Sequence, residues 1–274
     1  MATLDPAISS LLFDPGHAWR GASKLRRATF RACEALLDLF FPPHCAACEV
    51  PLDAGINKAL CKKCSERIRW IGADRCVRCG DMVGAGMGPV GECVSCKGHP
   101  PRFVNAIASV ARYEAEGPSG DLVKSLKFRA KNHLAKTMGK ILSLRIQQTG
   151  LLADSNSVIV VPTPLTRGKL FERGYNQAEE LARWVARELK LKLETRVLKK
   201  IRATRPQAML SEKQRRENLN GAFACSPRVT KKYDATTALL VDDVITTGST
   251  VSECARTLHG AGIKRVVAAS FARG

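Results

Sequence analysis

The second half of the chain alternates between short aliphatic runs and longer amphipathic stretches. From residue 157 onward, SVIVVPTP, TALLVDD and RVVAASFA are short apolar runs typical of buried β-strands. Between them, NQAEELARWVARELK and TVSECARTLHGAG place apolar residues at helical spacing. Because strands and helices follow one another in this order, the pattern predicts an α/β fold with a parallel sheet and helices on its faces.

The first half of the chain has weaker periodicity. Residues 22–41 have the spacing of an amphipathic helix that ends at FPPHC, and residues 103–113 are interpreted as a strand that forms one arm of a small sheet. Residues 120–148 predict one or two helices. The predicted organisation has three parts: an N-terminal segment with the amphipathic helix (1–43), a cysteine-rich module (44–98) and the α/β domain (99–274).

Eight of the eleven cysteines form four C-x-x-C pairs. They are Cys45 and Cys48, Cys61 and Cys64, Cys76 and Cys79, and Cys93 and Cys96. Four thiolates satisfy tetrahedral zinc, and sequential pairing closes loops of 12 and 13 residues, so the spacing predicts two zinc sites. A cross-braced pairing, which closes longer loops, is the alternative. Since all ligands are protein thiolates, we expect the zinc to be structural.

The chain carries 44 Lys and Arg against 25 Asp and Glu, a net charge of +19 that attracts polyanions. The alternative is a uniformly basic surface. The excess is nevertheless concentrated: residues 121–150 hold seven basic residues against one acid, and residues 190–217 hold ten against three. No apolar run approaches the roughly 18 residues of a membrane-spanning helix, and no export signal is evident, so we expect a cytoplasmic protein.

The stretch LLVDDVITTGST at residues 239–250 places two carboxylates at the end of an aliphatic strand. In α/β sheets, ligands bind beyond the carboxyl ends of strands, so we expect Asp242 and Asp243 to lie half out of the core. Gly248 allows a tight turn, and the hydroxyls and amides that follow, leading into a helix near Thr250, form an anion site. Carboxylates beside an anion site suit a ribose 5-phosphate. The alternative is a simple helix cap with solvated aspartates.

This stretch resembles the phosphoribosyl pyrophosphate (PRPP) signature of type I phosphoribosyltransferases. The resemblance implies that Asp242 and Asp243 bind the ribose 2- and 3-hydroxyls. It also implies a loop that holds the 5-phosphate, formed by Thr246, Thr247, Gly248, Ser249 and Thr250. Magnesium is expected to accompany PRPP.

Together with VVPTPL, RGYNQAEELA and TRPQAMLSEKQRRENLNGAF, the signature resembles the ComF family of competence-associated proteins. The resemblance implies a double zinc ribbon before a type I phosphoribosyltransferase-like domain. It places near the pyrophosphate the residues Thr166, Arg167, Lys169, Arg173 and Gly174. Residues 199–216 correspond to the mobile loop that closes over PRPP, in which Gln207 and Arg215 are candidate catalytic residues together with the two aspartates. Lys127 also matches a lysine of the family.

The sequence is compatible with two functions. The first is a phosphoribosyltransferase, similar to amidophosphoribosyltransferases, that displaces pyrophosphate from PRPP by positioning and charge stabilisation. The second, which the ComF resemblance implies, is a PRPP-binding protein of DNA uptake that handles single-stranded DNA with the uptake machinery on the cytoplasmic side. We favour the second for the cellular role, without deciding whether the site turns over.

Overall fold

The computed structural model describes 4–13, 43–52, 59–83, 93, 96, 101–128, 132–153, 155, 157–204, 214, 218–226 and 236–274. The predicted amphipathic helix at residues 22–41 lies outside the described residues. No helix in the described ranges is long and apolar enough to cross a membrane.

A five-stranded, all-parallel sheet forms the centre of the molecule, in the order β1-β7-β6-β2-β3. Its strands are β1 (Ile107–Arg112), β2 (Val158–Pro162), β3 (Lys192–Leu193), β6 (Thr237–Ile245) and β7 (Arg265–Arg273). A separate antiparallel pair, β4 (Leu198–Lys200) and β5 (Phe223–Cys225), brackets the predicted mobile loop. Because β2 and β6 are neighbours, the loops that follow them open at the same edge of the sheet.

Helices cover both faces of this sheet. Helices α3 (Pro118–Phe128), α4 (Asn132–Gln148) and α6 (Gln177–Glu188) pack their apolar residues on one face, and α7 (Ser249–His259) packs on the other. The described chain also contains three short helices: α1 (Pro6–Phe13), α2 (Lys62–Arg67) and α5 (Arg167–Arg173). The predicted α/β class, with helices on both faces of a parallel sheet, is confirmed.

The interpretation of residues 103–113 as an arm of a small sheet is wrong. This segment forms β1, which pairs in parallel with β7 at the edge of the main sheet. The free edge of β1 is covered by the cysteine-rich region: the Ile71 amide donates to the Val110 carbonyl at 2.9 Å, and the Arg112 amide donates to the Arg69 carbonyl at 2.8 Å. A covered edge is protected from pairing with other chains.

The cysteine-rich region shares its hydrophobic core with the sheet. Leu60, Ile68 and Trp70 are each about 1–2% exposed and belong to the same buried cluster as residues of β1, β6 and β7. The Trp70 indole N–H donates to the Ser65 carbonyl at 2.9 Å, so the ring is buried with its polar atom satisfied. The part of this region around Cys45 and Cys64 therefore belongs to the main core, whereas a separate buried cluster is formed by Cys76, Cys79, Cys93 and Cys96.

Candidate functional site

The eight paired cysteines lie in two groups of four, in the sequential arrangement. One group is Cys45, Cys48, Cys61 and Cys64, the other is Cys76, Cys79, Cys93 and Cys96, and within each group all sulfurs lie within 4.8 Å of one another. The sulfurs of Cys48 and Cys61 are 3.7 Å apart, and those of Cys76 and Cys96 are 3.8 Å apart. Tetrahedral zinc with bonds of about 2.3 Å needs a separation of about 3.8 Å. Both groups therefore fit zinc.

The chemistry of the thiols also fits a divalent cation. Burial alone would raise the pKa of Cys45, but backbone N–H groups, including that of Cys61, lower it to about 7. In the same group, burial and the neighbouring thiols raise the pKa of Cys64 above its ordinary value. One thiol of this group ionises readily, whereas burial and the neighbouring sulfurs oppose ionisation of others. A bound cation is therefore needed before all four thiols can be deprotonated.

The two neighbouring aspartates of β6 have different surroundings. Asp243 contacts Lys127 of α3, whereas Asp242 lines a cavity with the loop after β6, and the two carboxyl groups hydrogen-bond to each other. β6 continues through Ile245, so both carboxylates lie within the strand. The expectation that both lie half out of the core is wrong for Asp243, which is 4% exposed, because the strand continues past it and Lys127 and Gln177 contact its carboxylate.

The Asp243 carboxylate is compensated by a cation and an amide. Its Oδ2 atom lies 2.9 Å from the Lys127 Nζ atom on α3. The Gln177 side chain at the start of α6 hydrogen-bonds to the same carboxylate and accepts from Arg173 Nη1 at 3.1 Å. Burial would raise the pKa of Asp243, but the Lys127 ammonium and these hydrogen bonds outweigh it and hold the pKa below its ordinary value. Asp243 is therefore ionised at neutral pH.

Asp242 has the opposite electrostatic environment. Burial, followed by repulsion from the Asp243 carboxylate, raises its pKa well above the ordinary value. The Thr163 hydroxyl hydrogen-bonds to it, and the Asp243 amide donates to Asp242 Oδ1 at 2.9 Å. The two neighbouring carboxyls also hydrogen-bond to each other, and they differ in charge preference: Asp243 favours the ionised form and Asp242 the protonated form.

Asp242 lines a cavity together with the loop after β6. The cavity encloses about 40 Å³, and its lining also includes Thr246, Gly248, Ser249 and Thr250. Gly248 has φ 76° with its Cα hydrogens toward Pro101, a left-handed conformation that favours glycine. As the N-cap of α7, Gly248 offers no side chain to cap the helix, and Thr247 Oγ1 accepts from the Ser249 amide at a long 3.4 Å. The simple helix cap therefore accounts poorly for this loop.

The motif RGYNQ between α5 and α6 holds the site from the β2 side. Gly174 ends α5 in the left-handed region at φ 76°, and the Tyr175 hydroxyl donates to the Leu126 carbonyl on α3. Asn176 caps α6 by accepting from the Ala178 amide at 3.1 Å, and its side-chain amide donates to the Thr163 carbonyl at 2.9 Å. The motif thus connects α3 to the end of β2, on which the aspartates' partners Lys127 and Thr163 lie.

Basic side chains lie on α5 and on β4, and one on β4 lies near Asp242. Arg167 and Lys169 are exposed on α5, whose N-cap Thr166 accepts from the Lys169 amide. Lys200 of β4 lies within electrostatic reach: burial and the Lys169 ammonium lower its pKa, while Asp242 acts in the opposite direction. Gln207 and Arg215 lie outside the described residues.

Two contributors were missed as individual residues. Gln177 was noticed only as part of the RGYNQ motif, and Thr163 only as part of an apolar strand. Gln177 is 4% exposed and Thr163 is 5% exposed. Buried polar residues at the end of a strand and at the start of a helix are the signal that could have identified them, because burial of such groups requires partners.

Comparison with known proteins identifies both parts of the chain. Residues 36–97 match the double zinc ribbon domain, and residues 175–274 match the phosphoribosyl transferase domain. The chain is 30% identical over 226 residues to DNA utilization protein YhgH of Escherichia coli K12, covering 80% of this chain and 92% of that protein. It is 29% identical over 238 residues to competence protein F of Haemophilus influenzae, covering 85% and 98%.

A solved hypoxanthine-guanine phosphoribosyltransferase from Schistosoma mansoni, in complex with IMP, is a distant structural match. It is 16% identical, with a TM-score of 0.28, and covers 51% of this chain and 55% of that chain. The match is too remote to bear on the site. The domain matches, by contrast, confirm the predicted double zinc ribbon and phosphoribosyltransferase-like domain.

Proposed function

Because the chain belongs to the ComF family, with competence protein F and the YhgH proteins among its relatives, we propose that it binds PRPP or another ribose 5-phosphate in DNA uptake. In this proposal it acts on the cytoplasmic side and handles single-stranded DNA. The observation that carries the ligand is a shared cavity: Asp242 lines it together with the loop residues Thr246, Gly248, Ser249 and Thr250.

Each group in the proposed site has a chemical task. The Asp242 carboxylate accepts from the ribose hydroxyls, while the hydroxyls of the loop and the N-terminal turn of α7 receive the 5-phosphate. Asp243, already held by Lys127, contributes negative charge beneath the ribose rather than an open acceptor. Magnesium would accompany the pyrophosphate, and Lys169 and Lys200 would supply further positive charge there.

The ligand assignment predicts weaker binding in Asp242→Asn. The variant keeps the size of the side chain but replaces one acceptor oxygen by an amide that can only donate, so one ribose hydroxyl loses its acceptor. Such a hydrogen bond contributes about 0.5–1.5 kcal/mol, so affinity should fall by up to about tenfold. Calorimetric titration with PRPP, with and without magnesium, and with ribose 5-phosphate measures the loss. Asp121→Asn, at a half-buried carboxylate in the first turn of α3 that pairs with Lys124, is the matched control and should bind like the wild type. An unchanged isotherm in Asp242→Asn would refute the assignment.

The proposal that the chain binds single-stranded DNA is supported by the exposed side chains of α5. Phe171 is 92% exposed and Leu170 is 44% exposed on a short helix that also carries Arg167, Lys169 and Arg173. A bare aromatic ring beside basic side chains is the arrangement on which nucleobases stack while phosphates are neutralised. This helix lies next to the proposed ligand site, so a strand bound there would pass close to it.

This surface predicts that Phe171→Ala weakens the binding of a fluorescent oligothymidylate. One stacked base contributes about 1–3 kcal/mol, so affinity should fall about 5- to 100-fold, while the dependence on salt stays as in the wild type because no charge is removed. Phe103→Ala, at another exposed phenylalanine, is the control. Equal affinity for Phe171→Ala and wild type would exclude α5 as the DNA-contacting surface.

Catalytic transfer from PRPP is the second candidate. It is supported by Lys200, whose ammonium group is close enough to be perturbed both by Lys169 and by Asp242, where a leaving pyrophosphate would need positive charge. A pyrophosphate-release assay with a panel of amines and nucleobases separates the candidates. Sustained release would establish an enzyme, whereas tight PRPP binding without release would support a binding protein.

A further inference from the structure

A buried arginine joins the second cysteine group to the start of the proposed phosphate loop. Arg273, at the end of β7, is 4% exposed. Its Nε atom donates to the Cys79 carbonyl at 2.9 Å, and its Nη1 atom donates to the Ile245 carbonyl at 3.0 Å and also contacts the Thr246 carbonyl. One side chain thus bridges a zinc-ligand residue and the residues that open the loop.

The guanidinium is well suited to fix these carbonyls in place. It carries a permanent charge and five donors in a rigid planar fork, and hydrogen bonds from a charged donor are about twice as strong as neutral ones. Because the donors point in fixed, different directions within one plane, a shift of Ile245 relative to Cys79 would break at least one hydrogen bond. The Gly274 amide also donates to the Ile245 carbonyl at 3.0 Å, so this position is held from two directions.

On the zinc side, the bridge ends on a knuckle that is itself anchored. The Asp81 carbonyl accepts from the Cys76 amide at 2.8 Å, and the Asp81 carboxylate is ion-paired with Arg112 at the end of β1. Gly80 has φ 72°, and a Cβ atom there would lie 2.9 Å from the Ile107 carbonyl oxygen, so the knuckle lies directly against β1. Zinc bound by Cys76, Cys79, Cys93 and Cys96 would complete a rigid support.

We propose that Arg273 is a positioning residue through which the second zinc site holds the beginning of the phosphate loop in its ligand-ready conformation. The inference rests on the proposed function only where it concerns ligand affinity. The mechanical link from the zinc knuckle to Ile245 and Thr246, where the loop begins, stands on the contacts alone. It makes the second zinc ribbon a functional part of the ligand site.

The test compares Arg273→Met with Arg265→Met. Both remove an arginine of β7, but Arg265 lies at the opposite end of the strand, where its Nη2 atom is 3.5 Å from the Leu151 carbonyl. In the zinc-loaded, ligand-free chain, the Ser252 and Gly274 amides donate to the Gly248 and Ile245 carbonyls, and their hydrogen exchange should be at least tenfold faster in Arg273→Met, with zinc content unchanged. Arg265→Met should leave those amides as in the wild type. Affinity for ribose 5-phosphate should fall about 5- to 20-fold only in Arg273→Met.

A second arm tests the role of zinc. Cys79→Ser should reproduce the faster loop exchange, and adding Arg273→Met to it should increase exchange by less than the product of the single effects, because both changes cut the same link. Cys225→Ser, on β5 and outside both cysteine groups, should leave the loop unchanged. Unchanged loop exchange in Arg273→Met, or equal acceleration across the whole sheet, would overturn the proposal. If the wild type bound no ribose 5-phosphate, the proposed function would fail while the exchange measurements would still decide this inference.

Discussion

Replacing Cys64 with serine is expected to remove one of two zinc ions and to lower the melting temperature of the whole chain. Cys64 is 3% exposed, and it belongs to the same buried cluster as Trp70 and the strands of the main sheet. Structural zinc supplies about 10–16 kcal/mol in isolated zinc-finger peptides, so losing even part of that contribution should lower the melting temperature by on the order of 10 °C. Zinc analysis and calorimetric unfolding measure the two effects.

This experiment also shows whether the loss of stability is confined to the zinc ribbon or extends into the main sheet. Since residues 69–71 hydrogen-bond along the free edge of β1, hydrogen exchange in β1 should accelerate together with that of the ribbon. Cys225→Ser provides the control, because Cys225 is half-buried on β5 and outside both cysteine groups. A Cys64→Ser chain that lost zinc but kept the wild-type melting temperature and β1 protection would show that the ribbon folds independently of the sheet.

The sequence predicted those elements of the fold whose signal is local. β6, β7, α6 and α7 have apolar spacing that matches one secondary structure over many residues, and their predicted positions agree with the structure within a few residues. β1 was recognised as a strand but assigned to the wrong sheet, because its partner β7 lies more than 150 residues further along the chain. Two- and three-residue strands such as β3 have too few residues to show a period.

At the site, the sequence predicted the residue types but not their partners. The adjacent aspartates are evident in LLVDDVITTGST, yet tertiary packing decides which of them is buried against a cation and which lines the cavity. Lys127 was singled out only by family resemblance, because its pairing with Asp243 depends on how α3 packs. The sequence does not indicate that Arg273 is buried, because an arginine at the end of an apolar strand normally lies where the strand reaches solvent.

The second large effect concerns the two aspartates, whose replacement by asparagine should change stability in opposite directions. At neutral pH, Asp243→Asn leaves the Lys127 ammonium without its carboxylate and should destabilise the chain by about 1–3 kcal/mol. Asp242→Asn removes a carboxylate whose ionisation is opposed by burial and by Asp243, and should stabilise the chain by about 1 kcal/mol. Denaturant unfolding of the two variants and the wild type gives both values.

The pH dependence of the unfolding free energy tests whether these stability changes arise from the ionisation of the two carboxyl groups. The raised pKa of Asp242 means that the folded chain binds this proton more tightly than the unfolded chain, so the stability from protonation is lost as pH rises from the ordinary 3.8 through the raised pKa. The advantage of Asp242→Asn should therefore grow over that interval and vanish below it. The lowered pKa of Asp243 means that its contribution is present above 3.8 and is lost as pH falls through the lowered value. If both variants were destabilised equally at every pH, the two carboxyls would share one environment, and the separation of Asp242 as the ligand-facing group would be wrong.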